Sequence, residues 1–244
     1  METLTERTIG QFVAANYKTA AVFKKHKIDF CCNGNRTIAQ ACVQQKLNQE
    51  VIEQELNSVL IESSTQDETI NYKFWPLDLL VDYIEKKHHR YVQAQIPVLN
   101  QYLTKLCKVH GPNHPELFEV KELFEGCSDE LMTHMQKEEM MLFPAVRNLV
   151  DAQSQVENLK QFPFKTVQNP IQMMMHEHDA EGSRFRKINE LTNNYTPPAD
   201  ACGTYKVAFD LLKEFEEDLH LHIHIENNII FPKSIKLEAE LNNA

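Results

Sequence analysis

Glycine is scarce in this chain, with 6 in 244 residues, and there is a single tryptophan. So few glycines leave little provision for the many tight turns of a sandwich or barrel, so a helical chain is expected. Positive charge is also in deficit. The 25 Lys and Arg stand against 35 Asp and Glu, a net charge of -10. Phosphate backbones need clustered Lys and Arg, so nucleic acid is excluded as the expected partner. No run of about 18 apolar residues occurs, so no membrane span is expected. The opening METLTERTIG lacks the charged-then-apolar order of a secretory leader. Six cysteines are too few for a disulfide framework, and none is spaced Cys-x-x-Cys. A bridge between the adjacent Cys31 and Cys32 would be strained. The expected setting is a reducing cytoplasm.

Eleven histidines are present, more than a solvated helical surface needs. Their setting follows from the organisation of the chain. Residues 1–62 read as a small helical N-terminal domain, with helical patterns at 9–25, 37–46 and 50–61 broken by DFCCNGN. Sixty residues make a marginal core, so docking or homodimerisation is expected to support it. Residues 63–75 are polar and aperiodic, and read as a linker. Residues 76–244 carry four long helical patterns, at about 76–107, 116–150, 166–193 and 201–240, with a polar stretch at 151–160 between the second and third. The expected fold is all-α, an up-down-up-down four-helix bundle behind the small domain.

The bundle contains a repeat. HMQKEEMMLFPAV (134–146) matches HIHIENNIIFPKS (222–234) as His-x-x-x-Glu-x-x-x-x-Phe-Pro. At 100° per residue, His134 and Glu138 fall on the apolar stripe of the second helix, and His222 and Glu226 on that of the fourth. His178 lies on the stripe of the third and His176 does not. His220 and His224 fall roughly opposite the stripe. His88 and His89 take its two shoulders in the first helix, and periodicity leaves the choice open. A lone inward histidine is more often a hydrogen-bonded core residue. A repeated pair, each with a further inward histidine one helix earlier, points instead to metal. Four histidines and two glutamates divide into one set per half, with carboxylates placed to bridge two ions. Donors of N and O with room for an oxide bridge and an open position suit iron, with manganese or zinc as alternatives.

Other polar residues are assigned blander roles. His176, His220, His224 and the unused member of His88–His89 are expected at the surface or outside the ligand set, and Glu177 in solvent, with orienting a ligand or receiving a leaving ion as its alternative. The methionines at 140–141 and 173–175 read as core filler, and Cys42, Cys107, Cys127 and Cys202 as small buried hydrophobes. The Cys31–Cys32 pair reads either as buried packing or as thiols that bind iron, a cluster fragment or nitric oxide, or form a redox bond. Lys24, Lys25, His26 and Lys27 are near enough in sequence to lower a thiol pKa.

DFCCNGNRTIAQAC, the HH of the first bundle helix, HMQKEEMMLFP, HEHDAEG and HIHIENNIIFP, in this order, resemble the iron–sulfur cluster repair proteins. These are the Ric (repair of iron centres) di-iron family of the YtfE/ScdA type. The resemblance spans nearly the whole chain. It implies an N-terminal domain carrying the Cys-Cys pair and a hemerythrin-like bundle holding two non-haem irons with a bridging oxide or hydroxide. Carried over by motif, the ligands are His89, His134, Glu138, His178, His222 and Glu226, with the glutamates bridging and His89 chosen over His88. Cys31 and Cys32 take the thiol-transfer role. The implied function is repair of clusters damaged by oxidative or nitrosative stress, by iron donation to damaged iron–sulfur proteins. The alternatives are a nitric oxide-reducing enzyme and an O2 or NO sensor.

Overall fold

The computed structural model describes residues 7–64, 70–155 and 158–243. Residues 1–6 of the leader reading, 65–69 of the linker and 156–157 of the polar stretch lie outside them. All regular elements among the described residues are helical; the one β-contact is an isolated bridge between Thr8 and Thr37. No helix among them is long and apolar enough to cross a membrane.

Four short helices form the N-terminal part: α1 (Ile9–Ala15), α2 (Ala20–Lys25), α3 (Ile38–Gln45) and α4 (Gln49–Ser64). Thr8 and Thr37 each close a capping box, with Gln11 and Gln40 respectively, which fixes where α1 and α3 start. The start of α1 is pinned to the turn after the cysteines by Gly10 N–H donating to the Gly34 carbonyl at 2.7 Å. Helix α4 runs two residues into the segment read as linker. At the far end of that segment Tyr72–Phe74 form a 3₁₀ turn, and Tyr72 packs edge-on against Trp75 with ring centres 5.1 Å apart.

Four rods form an up-down-up-down bundle. The first comprises α5 (Leu77–Tyr83), a π-turn (Ile84–His89) and α6 (Arg90–His110). The second comprises α7 (Glu116–Lys137), a π-turn (Glu138–Leu142) and α8 (Phe143–Gln153). The third is α9 (Gln168–Leu191). The fourth comprises α10 (Gly203–Ile225), a π-turn (Glu226–Ile230) and α11 (Phe231–Asn242). A π-turn takes up an extra residue and resets the helical register, and such turns concentrate at functional sites. The repeated Phe-Pro accounts for two of them. Pro144 and Pro232 sit at the start of α8 and α11 and cannot donate to the carbonyl four residues back.

The core has two apolar layers. One, around Phe124, Phe185 and Phe215, continues into the N-terminal helices. The other, around Leu80, Ile84, Phe143, Met174 and Phe231, fills the opposite end of the bundle. A slab of buried His and Glu separates them. The methionine reading holds only for Met174. Met140, Met141, Met173 and Met175 are exposed, because three consecutive helical positions cannot share one face and the π-turn turns Leu142 inward instead.

The face of α10 opposite the stripe is not solvent. The N-terminal part covers it. The rings of Tyr17 and Phe30 each lie 6.0 Å from that of His224, and Phe30 lies 5.9 Å from His220. His224 is buried and His220 half-buried, while His176 is exposed. Burial pushes the His220 imidazole down to about 4 and that of His224 down to about 3, so both are neutral packing residues.

Candidate metal centre

The polar slab holds His89, His134, Glu138, His178, His222 and Glu226, all essentially inaccessible to solvent. Each of the three π-turns meets it at its boundary: His89 ends the first, Glu138 begins the second and Glu226 begins the third. The donors form two overlapping groups. One is His89, Glu138, His222 and Glu226. The other is His134, Glu138, His178 and Glu226. Both carboxylates belong to both groups, the geometry a pair of bridging ligands requires. The grouping by halves expected from the repeat is incorrect. The inward stripes of the second and third rods meet, so His134 faces His178, with Nε2 atoms 2.9 Å apart. His89 faces His222, ring centres 5.0 Å apart.

Three imidazoles are oriented from outside. His89 Nδ1 donates to Glu139 Oε1 at 2.7 Å, His134 Nδ1 to Glu177 Oε2 at 2.8 Å, and His178 Nδ1 to Asn227 Oδ1 at 2.9 Å. Those oxygens only accept, so each Nδ1 carries the proton and each Nε2 presents a lone pair inward. The aromatic of each repeat completes the support. Phe143 stacks on His89 and Phe231 on His178, with ring centres 5.7 and 5.9 Å apart. The fourth imidazole, His222, has no hydrogen-bond partner at Nδ1; its ring is stacked on His88, 5.5 Å away. His88 Nδ1 is taken by Asp218 Oδ2 at 2.9 Å, so His88 turns away from the group that His89 joins.

The donor set fits a cation. Two imidazole lone pairs 2.9 Å apart repel unless a proton or a metal lies between them. His89 Nε2, both oxygens of Glu138 and Glu226 Oε2 are buried without a hydrogen bond, a costly state for charged groups with nothing to coordinate. Without an ion, protons supply the compensation. Burial opposes charge on His134, yet Glu138 beside it and Glu177 behind it raise it to about 10. Burial likewise opposes charge on His89, and Glu138 again outweighs it. Burial also pushes the Glu226 carboxyl up, but His222 and His178 hold it well below the usual carboxylate range. Two anions in a dry site that attract protons so strongly suit dications with hard N and O donors, as in a di-iron centre.

A surface cavity of about 360 Å³ reaches the centre at His134. Asp129, Glu130, Lys137, Glu177 and Glu181 line it. Glu177 is therefore not a solvated surface residue: it orients His134 and pairs with Lys137.

Both parts of the chain match known families. The hemerythrin HHE cation-binding domain model matches residues 81–234, and the ScdA_N model, a domain of unknown function, matches residues 5–60. The iron–sulfur cluster repair protein ScdA of Staphylococcus epidermidis is 33% identical over 236 residues, covering 94% of this chain and 99% of that protein. The chain belongs to the ScdA/YtfE iron–sulfur cluster repair family. YtfE relatives agree: that of Escherichia coli is 30% identical over 230 residues, 94% of this chain and 97% of its own. That of Musicola paradisiaca is 31% identical over 234 residues, 96% and 98%.

The ScdA_N cysteines lie against the hemerythrin-like centre. Cys32 Sγ donates to the His178 carbonyl at 3.3 Å, and Cys31 Sγ lies 3.6 Å from Cys32 Sγ. Asp29 Oδ1 accepts from the N–H groups of both cysteines, at 3.1 and 2.9 Å, and from the Cys31 thiol at 3.3 Å. Three of the four basic residues expected to activate the pair are engaged elsewhere. Lys24 pairs with Glu217, and Lys25 and His26 with Glu55. The bond to Cys32, together with burial, pushes the Cys31 thiol well above its ordinary value. Cys202 departs from the buried reading too. It is exposed at the start of α10, where His110 Nε2 lies 3.2 Å from Sγ. That contact, with the helix's first N–H groups, lowers the thiol to about 7.

Sequence reasoning missed the orienting residues Glu139 and Asn227. Their signal is in the repeat: each directly follows the shared glutamate, and each bonds Nδ1 of a histidine on the preceding rod.

Proposed function

We propose that this chain is a di-iron protein that repairs damaged iron–sulfur clusters by donating iron. The ligands are His89, His134, His178 and His222, with Glu138 and Glu226 bridging the two ions and an oxide or hydroxide completing the bridge. The observation that carries the reading is the pair of buried carboxylates, each within reach of both histidine pairs, with no thiolate in the set. When bound, iron at such a site supplies redox and Lewis-acid chemistry and is itself the cargo. Hard donors hold ferrous iron less firmly than thiolates do, which suits a donor. The residues favour release in a second way. His89 and His134 take up protons as ions leave, so the emptied site is not left with two unpaired buried carboxylates.

Cys31 and Cys32 are the transfer point in this reading. They stand between the centre and the N-terminal part, and Asp29 is the nearest acceptor for the Cys31 proton when that thiol binds a metal. The clients are iron–sulfur proteins damaged by oxidative or nitrosative stress. Iron-loaded protein mixed with a nitric oxide-damaged dehydratase should restore its activity. Absence of restoration overturns donation. Equal restoration by Cys31→Ala/Cys32→Ala overturns the thiol step.

The cavity reaching His134 favours one further reading, in which nitric oxide enters and two molecules are reduced to nitrous oxide. Single-turnover gas analysis on reduced protein separates the two, since a pure donor releases no nitrous oxide.

A further inference from the structure

One side chain joins the thiol pair to the metal centre. Asn227 Oδ1 accepts from His178 Nδ1, and Asn227 Nδ2 donates to the Cys31 carbonyl at 3.1 Å. Turning the amide over would set N–H against N–H and oxygen against oxygen, so only one orientation serves both partners. Cys32 closes the loop through its 3.3 Å bond to the carbonyl of the same histidine. The chain is packed tightly enough for these links to transmit. A Cβ on Gly182 would stand 3.2 Å from Cys32 Sγ. Asn228 supplies a natural control. Its Nδ2 also donates to the Cys31 carbonyl, at 3.3 Å, but its other bonds go to His224, outside the centre.

We propose that Asn227 is a positioning residue that couples the Cys31–Cys32 turn to His178, so that iron at the buried centre protects the thiols and modification of the thiols loosens the iron. This rests on the di-iron reading. Fixing the His178 ring fixes the Asn227 amide, which then holds the Cys31 carbonyl and with it the turn. At equilibrium the coupling is reciprocal by linkage, each site changing the other's affinity by one shared factor, while the labelling rate need only move in the same sense. An outer partner of a ligating histidine is worth about 10- to 100-fold in metal affinity, so an effect of about tenfold is expected.

The test is iodoacetamide labelling of full-length protein without oxygen, read by mass spectrometry on the peptide containing Cys31 and Cys32. Iron-loaded wild type should label about tenfold more slowly than metal-free wild type. At equilibrium with a competing chelator, alkylated protein should bind iron about tenfold more weakly than unmodified protein. Asn227→Asp keeps an acceptor for His178 and loses the donor to Cys31, and should reduce both differences to within about twofold. Asn228→Ser should retain them. Equal labelling of the loaded and metal-free wild type overturns the coupling without any variant. Full protection in Asn227→Asp also overturns it, since domain docking or iron on the thiols themselves would then be responsible. Failure to bind iron overturns the di-iron reading and the coupling together, whereas iron bound without protection overturns the coupling alone.

Discussion

Replacing Glu177 with Gln removes one charge and almost no volume. The carboxylate accepts from His134 Nδ1 at 2.8 Å and pairs with Lys137. The bond to His134 is the largest influence holding its carboxyl at about 2, against an ordinary 4.5. A difference of that size corresponds to roughly 3 kcal/mol at 1.36 kcal/mol per pKa unit. Lys137 shares it, and the side chain is 27% exposed, so solvent screens part of it. About 1–2 kcal/mol is left to act on His134. Glu177→Gln should therefore weaken iron binding about tenfold, within the range for an outer partner of a ligating histidine. Competition against a chromophoric ferrous chelator, without oxygen, measures it. Glu139→Gln, which acts on His89 across 2.7 Å, should behave alike. Affinities within twofold of wild type for both variants would refute the reasoning that these carboxylates tune the ligands.

Two further outcomes follow from groups away from the centre. Burial raises Glu216 to about 7, with Lys24 the main opposing influence. The folded state then holds a proton that the unfolded state releases near 4.5. The stability that Glu216 contributes should fall by up to about 3 kcal/mol as pH rises from about 4.5 to 7, and in the metal-free protein the raised His134 carries a further fall above that. Glu181, raised to about 7 by its own burial, adds a similar slope. The buried His220 and His224 slope the opposite way below about 6.5, so the comparison is with wild type: Glu216→Gln should remove up to about 3 kcal/mol of pH-dependent loss from urea titrations of the metal-free protein, and a slope equal to that of wild type would contradict the assignment. Cys202 should be alkylated with a half-maximal rate near pH 7, and His110→Ala should move that midpoint towards the ordinary thiol range. A midpoint unaffected by His110→Ala would leave the 3.2 Å contact without a role.

The fold was legible because the bundle's apolar stripes are long and regular, and the repeat marked the rods that carry ligands. His134, Glu138, His178, His222 and Glu226 lie on those stripes, and the stripes meet where the structure brings the side chains together. What helical phase could not show is what lies across from a residue. It gave His224 an outward direction, and the N-terminal part packs Tyr17 and Phe30 there. It paired ligands by sequence half, whereas the faces that meet join His134 to His178 and His89 to His222. The π-turns were missed because a uniform 100° step has no place for an extra residue, although Phe-Pro announced two of them. Glu139 and Asn227 were invisible, and the role of Glu177 undecided, for a related reason. An outer partner is defined by a ring nitrogen on another rod, and one helix's periodicity carries no information about it.

The central claim is a pair of ions held by two shared carboxylates. Metal analysis with Mössbauer spectra of the iron-loaded wild type and of Glu138→Ala/Glu226→Ala tests it most directly. Two irons per chain with the signature of a coupled pair, lost in the double variant, is the result the account predicts. One zinc or one iron per chain in the wild type, or a coupled pair that survives the loss of both glutamates, would contradict it.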